Sequence, residues 1–129
     1  MFKIVILSTL ILLLYATGCK PGCTDVAALN HEFDAEKEDG SCIYSNAVFF
    51  GTTPARCPPV TVQVDGNSIG TIEAFYPNGP GNCSVPGVAR FEFQSGESVD
   101  WVATDACGNI ASGVARPSST QECIRVRVF

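Results

Sequence analysis

From Asn46 to the end of the chain, short runs of alternating apolar and polar residues are separated by turn residues. Val60–Val64 has valine at every second position, and residues 124–128 alternate apolar residues with Arg125 and Arg127. Successive side chains of a strand point to opposite faces of its sheet, so these runs predict strands with one buried face. Several short strands divided by turns are typical of a β-sandwich. We therefore predict an all-β fold for this part of the chain.

The same pattern predicts the remaining strands and the turns between them. The further predicted strands are residues 69–76, 90–93, 98–104 and 110–115, with residues 46–50 as an edge strand. The turns, rich in Gly, Asn, Asp and Ser, are residues 65–68, 94–97 and 107–109 and the long loop 77–87. Trp101 shares one face of its strand with Val99 and Ala103, so we expect it in the core rather than as an exposed sugar-stacking platform.

The start of the chain has a different pattern. Lys3 precedes an apolar run over residues 4–14, and the run is followed by Ala16-Thr17-Gly18-Cys19. This order is that of a secretory signal peptide, and the run is shorter than the ~20 apolar residues of a membrane-spanning helix. The Ala-Thr-Gly-Cys end resembles the lipobox of bacterial lipoproteins, with Ala16 where leucine is usual. The resemblance implies a signal peptide over residues 1–18 and acyl chains, such as palmitate, on Cys19.

The cysteine count agrees with a lipid on Cys19. The chain has seven cysteines, and an odd cysteine in an exported protein needs an explanation. Lipidation of Cys19 leaves an even number to pair in an oxidising compartment. The alternative is an ordinary signal peptide that leaves Cys19 free. Lys20, which follows Cys19, is not the acidic residue associated with inner-membrane retention, and the lipoprotein resemblance implies an anchored protein in the outer membrane or at the cell surface.

Acidic residues are concentrated between the anchor and the predicted sandwich. The formal net charge is −5, and residues 24–45 hold Asp25, Glu32, Asp34, Glu36, Glu38 and Asp39. An acidic chain without a basic patch argues against nucleic acid as a partner. It also argues against electrostatic docking on anionic lipid, so attachment to the membrane would come from the acyl chains.

Residues 22–44 resemble a short repeat that is common in exported proteins of Bacteroidetes-type bacteria: Gly-Cys-Thr-Asp-Pro, a small residue, Ala and Asn-Tyr, then Ala and Asp-Asp-Gly-Ser-Cys. The matching positions are Cys23, Thr24, Asp25, Ala28, Asn30, Ala35, Asp39, Gly40, Ser41 and Cys42. The departures are Val26, His31, Phe33 and Glu38. The resemblance implies a bacterial source and a closed module more than it implies an activity.

The residues of this segment predict its local structure. Thr24 or Asp25 can cap a short helix over residues 27–29, and Asp39-Gly40 is a turn signal. A Cys23–Cys42 disulfide would close a loop worth ~3 kcal/mol of chain entropy. We therefore divide the mature chain into an anchor with a stapled acidic segment, residues 19–45, and a β-sandwich domain, residues 46–129.

The clustered acids raise a minor calcium hypothesis. The EF-hand register fails, because starting it at Asp34 puts Asp39 where the loop needs glycine. A looser calcium loop would use Asp25, Asn30, Asp34 and Asp39. The alternative is a solvated acidic turn, and His31, the only histidine, is more typical of packing or surface than of a ligand.

The order of motifs in the β domain is similar to that of small PEGA-type or transthyretin-like surface sandwiches. It runs Val-Thr-Val-Gln-Val-Asp-Gly, then Ser-Gly-Glu-Ser-Val-Asp-Trp-Val-Ala, then a closing strand. For the remaining cysteines we predict Cys57–Cys123 and Cys83–Cys107. The first pair requires the strands at residues 60–64 and 124–128 to run parallel, with the loop 77–87 crossing over.

The sequence favours binding over catalysis. A hydrolytic triad needs a histidine base near a nucleophile, and His31 lies in the acidic segment. Asp100 and Asp105 are the remaining candidate carboxylate pair, and we assign no catalytic residue and no cofactor. We predict a non-enzymatic binding or structural module that recognises a glycan or an envelope protein through the loop 76–87. The alternative is an accessory or inhibitor lipoprotein for an envelope enzyme.

Overall fold

The computed structural model describes residues 18–129, so the predicted signal peptide lies outside the described residues apart from Gly18. The strands are β1 (Pro21–Gly22), β2 (Lys37–Glu38), β3 (Asn46–Phe50), β4 (Val60–Val64), β5 (Asn67–Ile72), β6 (Ala89–Glu92), β7 (Val99–Thr104), β8 (Ile110–Ala115) and β9 (Cys123–Arg127). No helix occurs over residues 18–129, and accordingly none there is long and apolar enough to cross a membrane. The predicted all-β, disulfide-stapled fold is confirmed.

Two sheets form the main body of the molecule. One has the strand order β6-β3-β9 and the other the order β5-β4-β7-β8. Their inner faces meet in one apolar core, in which the rings of Phe49 and Trp101 pack edge to face with centroids 5.6 Å apart. The alternation of β4 is seen directly, since Val60, Val62 and Val64 are all buried. Trp101 belongs to this core, as its position in the sequence predicts.

Strand β3 is a central strand, so its prediction as an edge strand is wrong. It lies between β6, which runs antiparallel to it, and β9, which runs parallel. All residues from Ala47 to Phe50 are buried, because the core covers one face and the loop 76–87 packs on the other, with Gly79 against the Phe50 ring. A strand covered on both faces has a continuous apolar run rather than an alternating one.

The sandwich is closed along one side and open along the other. On the closed side, the backbone N–H groups of Glu73 and Ala74 both donate to the Gly87 carbonyl at 3.0 Å, and Gly70 of β5 lies against Ala89 of β6. On the opposite side, β8 and β9 end their sheets, and no strand pairing joins them in the described chain. The open side is therefore where the interior is most accessible.

The disulfides of the sandwich are Cys57–Cys107 and Cys83–Cys123, so the predicted pairs Cys57–Cys123 and Cys83–Cys107 are wrong. Strand β4 pairs antiparallel with β7, which places Cys57, in the segment before β4, beside Cys107 in the turn after β7. Strand β9 belongs to the other sheet, where Cys123 is in register with Asn46 of β3, and Cys83 Sγ lies 3.7 Å from the Asn46 carbonyl oxygen. The parallel pairing of residues 60–64 with residues 124–128 that the prediction required does not form; β9 pairs in parallel with β3 instead.

The acidic segment contains the predicted Cys23–Cys42 disulfide but not the predicted helix. Ala27 N–H donates to Asp25 Oδ1 at 2.9 Å and Ala28 N–H to the Asp25 carbonyl at 3.1 Å, which closes a single turn. Leu29 N–H then donates to the Ile43 carbonyl at 2.8 Å, so the chain leaves the helical path. A side-chain acceptor that bonds its own turn competes with helix formation in this way.

Candidate binding site

A pocket of about 260 Å³ lies on the open side, between the first residues of β8 and the end of the chain. Its apolar lining includes Val60, Ala103, Ala111, Val128 and Phe129. Ala103 and Ala111 are directly paired across β7 and β8, and two small side chains at facing positions leave space between the sheets. The pocket thus follows from small residues at the one place where no strand closes the sandwich.

The polar part of the lining is formed by loop residues. These residues are Thr53 and Arg56 from the segment before β4 and Asp105 and Asn109 from the turn after β7. The Cys57–Cys107 disulfide joins the two loops, and Ala106 N–H donates to the Cys57 carbonyl at 2.9 Å. The polar side chains are therefore held on a fixed frame, as selective binding requires.

Asp105 is charged but has few acceptor sites left for a ligand. Asn109 Nδ2 donates to its Oδ2 at 2.8 Å, and the backbone N–H groups of Asn109 and Cys107 donate to its Oδ1 at 2.9 and 3.0 Å. The Asn109 side-chain bond, followed by these backbone bonds, lowers the pKa of Asp105 below its usual value. Asp105 consequently stabilises the turn. At the pocket it is a negatively charged lining residue and not a proton donor.

Arg56 is the charged residue of the lining that is available to a ligand. It is exposed, and the ion pairs of the described residues are those of Lys20 with Glu32 and Asp34, so no carboxylate is paired with Arg56 there. A guanidinium offers several donors in a planar fork and no acceptor. Above an apolar floor, this arrangement suits a ligand that combines an apolar body with an oxygen acceptor.

Sequence reasoning missed this pocket. Asp105 was considered only as a partner of Asp100, which lies on the exposed outer face of β7. Arg56 and Asn109 are separated by many residues and lie in turns that carry no motif. The Cys57–Cys107 disulfide joins the two loops that line the pocket, so the correct cysteine pairing would have brought these residues together. The predicted pairing of Cys57 with Cys123 therefore misses this signal.

Phe129 lies beside a second pocket of about 230 Å³ as well as the first. Its ring covers Gly51, where a Cβ atom would overlap the ring, and its carbonyl accepts from Thr52 N–H at 2.8 Å. Pro54 and Ala55 also line both pockets. The position of the Phe129 ring therefore shapes both cavities.

The loop 76–87, expected to carry recognition, is fixed on the outer face of the three-stranded sheet. The Cys83–Cys123 disulfide and the buried Pro80 hold its middle. Tyr76 donates its hydroxyl to the Pro86 carbonyl at 2.6 Å, and Arg125 Nη2 donates to the Gly81 carbonyl at 3.1 Å. The loop offers a fixed surface, not a deep pocket.

The structure does not bring the proposed calcium ligands together. Asp25 accepts from Tyr44 Oη at 2.8 Å, Asn30 bridges the backbone of Ser41 and Ile43, and Asp34 accepts from Lys20 at 2.7 Å. Asp39 Oδ1 accepts from the Ser41 N–H at 2.9 Å. Each side chain supports the backbone or an ion pair of its own, and the three carboxylates do not form one cluster within residues 18–129.

Two close groups of metal-type ligands occur in the described residues, and both contain a disulfide. They are Cys23, Glu38 and Cys42, and Cys57, Asp105 and Cys107. Metal binding by cysteine uses the thiolate, and here the sulfur atoms are bonded to each other. Each of these groups is therefore a disulfide with a nearby carboxylate, and not a metal site.

Cys19 is exposed and is the only cysteine of residues 18–129 outside a disulfide. The next residue, Lys20, forms ion pairs with Glu32 at 3.3 Å and Asp34 at 2.7 Å. Hydrogen bonding to Asp34 raises the pKa of Lys20. The first residues after the expected cleavage site are therefore tied to the acidic segment.

Comparisons with known proteins add no assignment: no family model matches the chain, and neither a similar curated protein nor a similar solved structure was found.

Proposed function

We propose that this chain is a lipid-anchored bacterial cell-envelope protein, in the outer membrane or at the cell surface, that acts as a non-enzymatic binding module. The main observation in support of the binding role is the pocket of about 260 Å³, in which Arg56 lies beside an apolar lining. Ligand sites are typically concave, mostly apolar and provided with a few placed polar groups. The recognised partner is a glycan or an envelope protein.

The anchor is supported by the sequence around Cys19 and by the pairing of the other cysteines. Mass spectrometry of the mature protein is expected to show an N-terminal Cys19 that carries acyl chains. A secreted product with a free Cys19 thiol would contradict the anchor. The Cys19→Ser variant provides the control, because it should lose membrane attachment while it keeps all three disulfides.

The binding role is tested with a glycan array and a pull-down from envelope extract, each with wild-type protein and the Arg56→Ala variant. Removing a charged hydrogen-bond donor from a site costs about 1.5–3 kcal/mol, so binding should weaken by roughly tenfold or more. Arg127→Ala is the matched control, because Arg127 is exposed on β9 and does not line the pocket. A ligand whose binding is insensitive to Arg56→Ala would refute the assignment of the pocket.

The rigid loop 76–87 favours a second candidate, an accessory or inhibitor lipoprotein for an envelope enzyme. A loop held by Cys83–Cys123 and by the Tyr76–Pro86 hydrogen bond loses little conformational entropy when it docks on a partner. The pull-down would support this candidate if it recovers one stoichiometric protein. That protein should be lost with Asn78→Arg, a change at the exposed part of this loop, and retained with Arg56→Ala.

The non-enzymatic part of the proposal is supported by the positions of the titratable groups. Asp105 is bonded within its own turn, and Asp100 faces outward on β7. Turnover of a polysaccharide or peptide library by purified protein, abolished by Asp100→Asn or Asp105→Asn, would overturn it.

A further inference from the structure

The edge formed by β8 is the least protected of the sheet edges that the structure describes. Its sequence, Ile-Ala-Ser-Gly-Val-Ala, has no charge and no proline. Proteins usually protect exposed edges with charges, bulges or covering segments. The other edges follow this rule: β9 carries Arg125 and Arg127, β6 carries Arg90 and Glu92, and β5 has an irregular register and lies against β6.

The hydrogen-bonding groups of this edge can be assigned from the pairing of β7 and β8. Asp105 N–H donates to the Asn109 carbonyl at 3.0 Å, and hydrogen-bonded pairs alternate with non-bonded pairs along an antiparallel ladder. Ala111 and Gly113 therefore bond to β7. The N–H and C=O groups of Ile110, Ser112 and Val114 point away from the sheet, where no further strand of residues 18–129 lies.

The same three residues present an apolar strip on the outer face of the sheet. Ile110 is 69% exposed and Val114 is 52% exposed, and the small Ser112 lies between them. A free backbone edge and an uncharged apolar strip on one strand are the requirements for adding another strand.

We propose that β8 pairs in antiparallel fashion with β8 of a second copy of this chain, with Ser112 opposite Ser112 of that copy. In this register the outward backbone groups of each copy meet those of the other. Ile110 of each copy lies opposite Val114 of the other. Directly opposed residues of two paired strands lie on the same face of the sheet, so both apolar side chains lose exposure to solvent. No like charges are opposed within the strand.

Charge complementarity argues for a second copy as the occupant. Antiparallel pairing brings Arg116, the residue directly after β8, beside the turn that precedes β8 in the other copy. That turn carries Asp105, and Arg116 is exposed and makes no ion pair among residues 18–129. Each copy thus presents its arginine to the acidic turn of the other. Because each copy uses its single β8 edge, the pairing closes as a two-fold dimer and does not extend.

Cross-linking of the Ser112→Cys variant tests the proposal in intact envelopes. A hydrogen-bonded antiparallel pair has Cα atoms about 5.5 Å apart, so a short bis-maleimide should join the two copies. We expect on the order of tenfold more covalent dimer than from Ser68→Cys, because fixed neighbours react at a high effective concentration. Ser68 is the matched control, since it is also an exposed serine on the edge strand of this sheet.

A second change on the Ser112→Cys background tests the strand pairing itself. Val114→Pro removes one outward N–H but none that bonds to β7, and an edge strand tolerates proline at such a position. Cross-linking should then fall to the level of Ser68→Cys. Peptide mapping of the three native disulfides shows that each variant is folded. Neither Ser112 nor Val114 lines the pocket, whereas Ile110 does, so the cross-link rather than ligand binding is the readout of strand pairing.

Three outcomes would overturn the proposal. The first is a folded Ser112→Cys variant that gives no more dimer than Ser68→Cys. The second is a cross-link that survives Val114→Pro, since it would not depend on strand pairing. The third is a cross-link from Ser112→Cys to a different envelope protein in place of a second copy.

Discussion

Gly113 shows how single residues set the spacing of the sandwich. It faces the core from β8, directly against the indole of Trp101, and a Cβ atom at this position would lie 3.0 Å from three atoms of that ring. Trp101 in turn packs against Phe49 of the opposite sheet. A side chain at Gly113 would therefore disturb the contact between the two sheets.

Gly113→Val should lower the free energy of unfolding by about 1–3 kcal/mol, the usual cost of overpacking a core. Urea unfolding followed by Trp101 fluorescence measures this change. Gln63→Val is the control, because it places the same side chain on the exposed face of β4 in the same sheet and should alter stability by less than about 0.5 kcal/mol. Equal effects of the two variants would show that Trp101 does not limit the packing of β8.

Asp25 gives the acidic segment a pH dependence. Hydrogen bonds from the Ala27 N–H, the Tyr44 hydroxyl and the Gly96 N–H lower the pKa of Asp25 below its ordinary value of 3.8. The folded state therefore binds this proton more weakly than the unfolded state, so the stabilisation is present above pH 3.8. It is lost as the pH falls through the depressed pKa.

Replacing this carboxylate should remove that part of the pH dependence. Asp25→Asn is expected to be less stable than wild type near neutral pH, and the difference should shrink as the pH falls below 3.8. Urea unfolding across this range tests the sign. Asp34→Asn serves as the comparison, since the Asp34 partner is the exposed Lys20 and exposed pairs contribute little. A difference that grows toward acid would contradict the assignment.

At the scale of elements, much of what is local in the sequence was predicted, but the helix over residues 27–29 is absent and β5 spans Asn67–Ile72 rather than residues 69–76. What depends on distant neighbours was not predicted. The bounds of β4 and β8 follow from alternation and turn residues, which act over a few positions. The position of β3 could not follow from its own residues, because its two partners lie far away in the chain. Both wrong disulfides have the same origin, since cysteine pairing depends on which strands are neighbours.

The disulfide pairs can be read directly from peptides after digestion without reduction. We expect one linked pair with Cys57 and Cys107 and one with Cys83 and Cys123. Replacing Cys57 and Cys107 together by alanine should cost ~4 kcal/mol by loop-closure entropy and should weaken ligand binding at the pocket. Replacing Cys83 and Cys123 together should cost a similar amount but leave the pocket frame intact. A peptide that links Cys57 to Cys123 would contradict the strand order.

At the scale of the whole molecule, the acidic segment is attached to the sandwich by more than the chain itself. Ser45, at the predicted boundary, is fully buried, and it accepts from Phe93 N–H at 3.2 Å and from Ser118 N–H at 3.0 Å. Gly96, in the turn after β6, lies directly against Ala27 and Asp25. Since Cys19 precedes this segment, its docking determines how the sandwich is oriented relative to the lipid anchor that we propose at Cys19.

Gly96→Val should detach the acidic segment from the sandwich. A Cβ atom at Gly96 would lie 2.8 Å from both Ala27 Cβ and Asp25 Oδ2, so the segment must move away. Gln94→Val is the control, because Gln94 is exposed in the same turn. Limited proteolysis should then cut residues 24–41 faster in Gly96→Val than in Gln94→Val, while the sandwich stays resistant in both. Because the Cys23–Cys42 disulfide holds the segment closed on itself, the cleaved pieces should separate only after reduction. Unchanged cleavage in Gly96→Val would mean that the contact with Gly96 does not fix the segment on the sandwich.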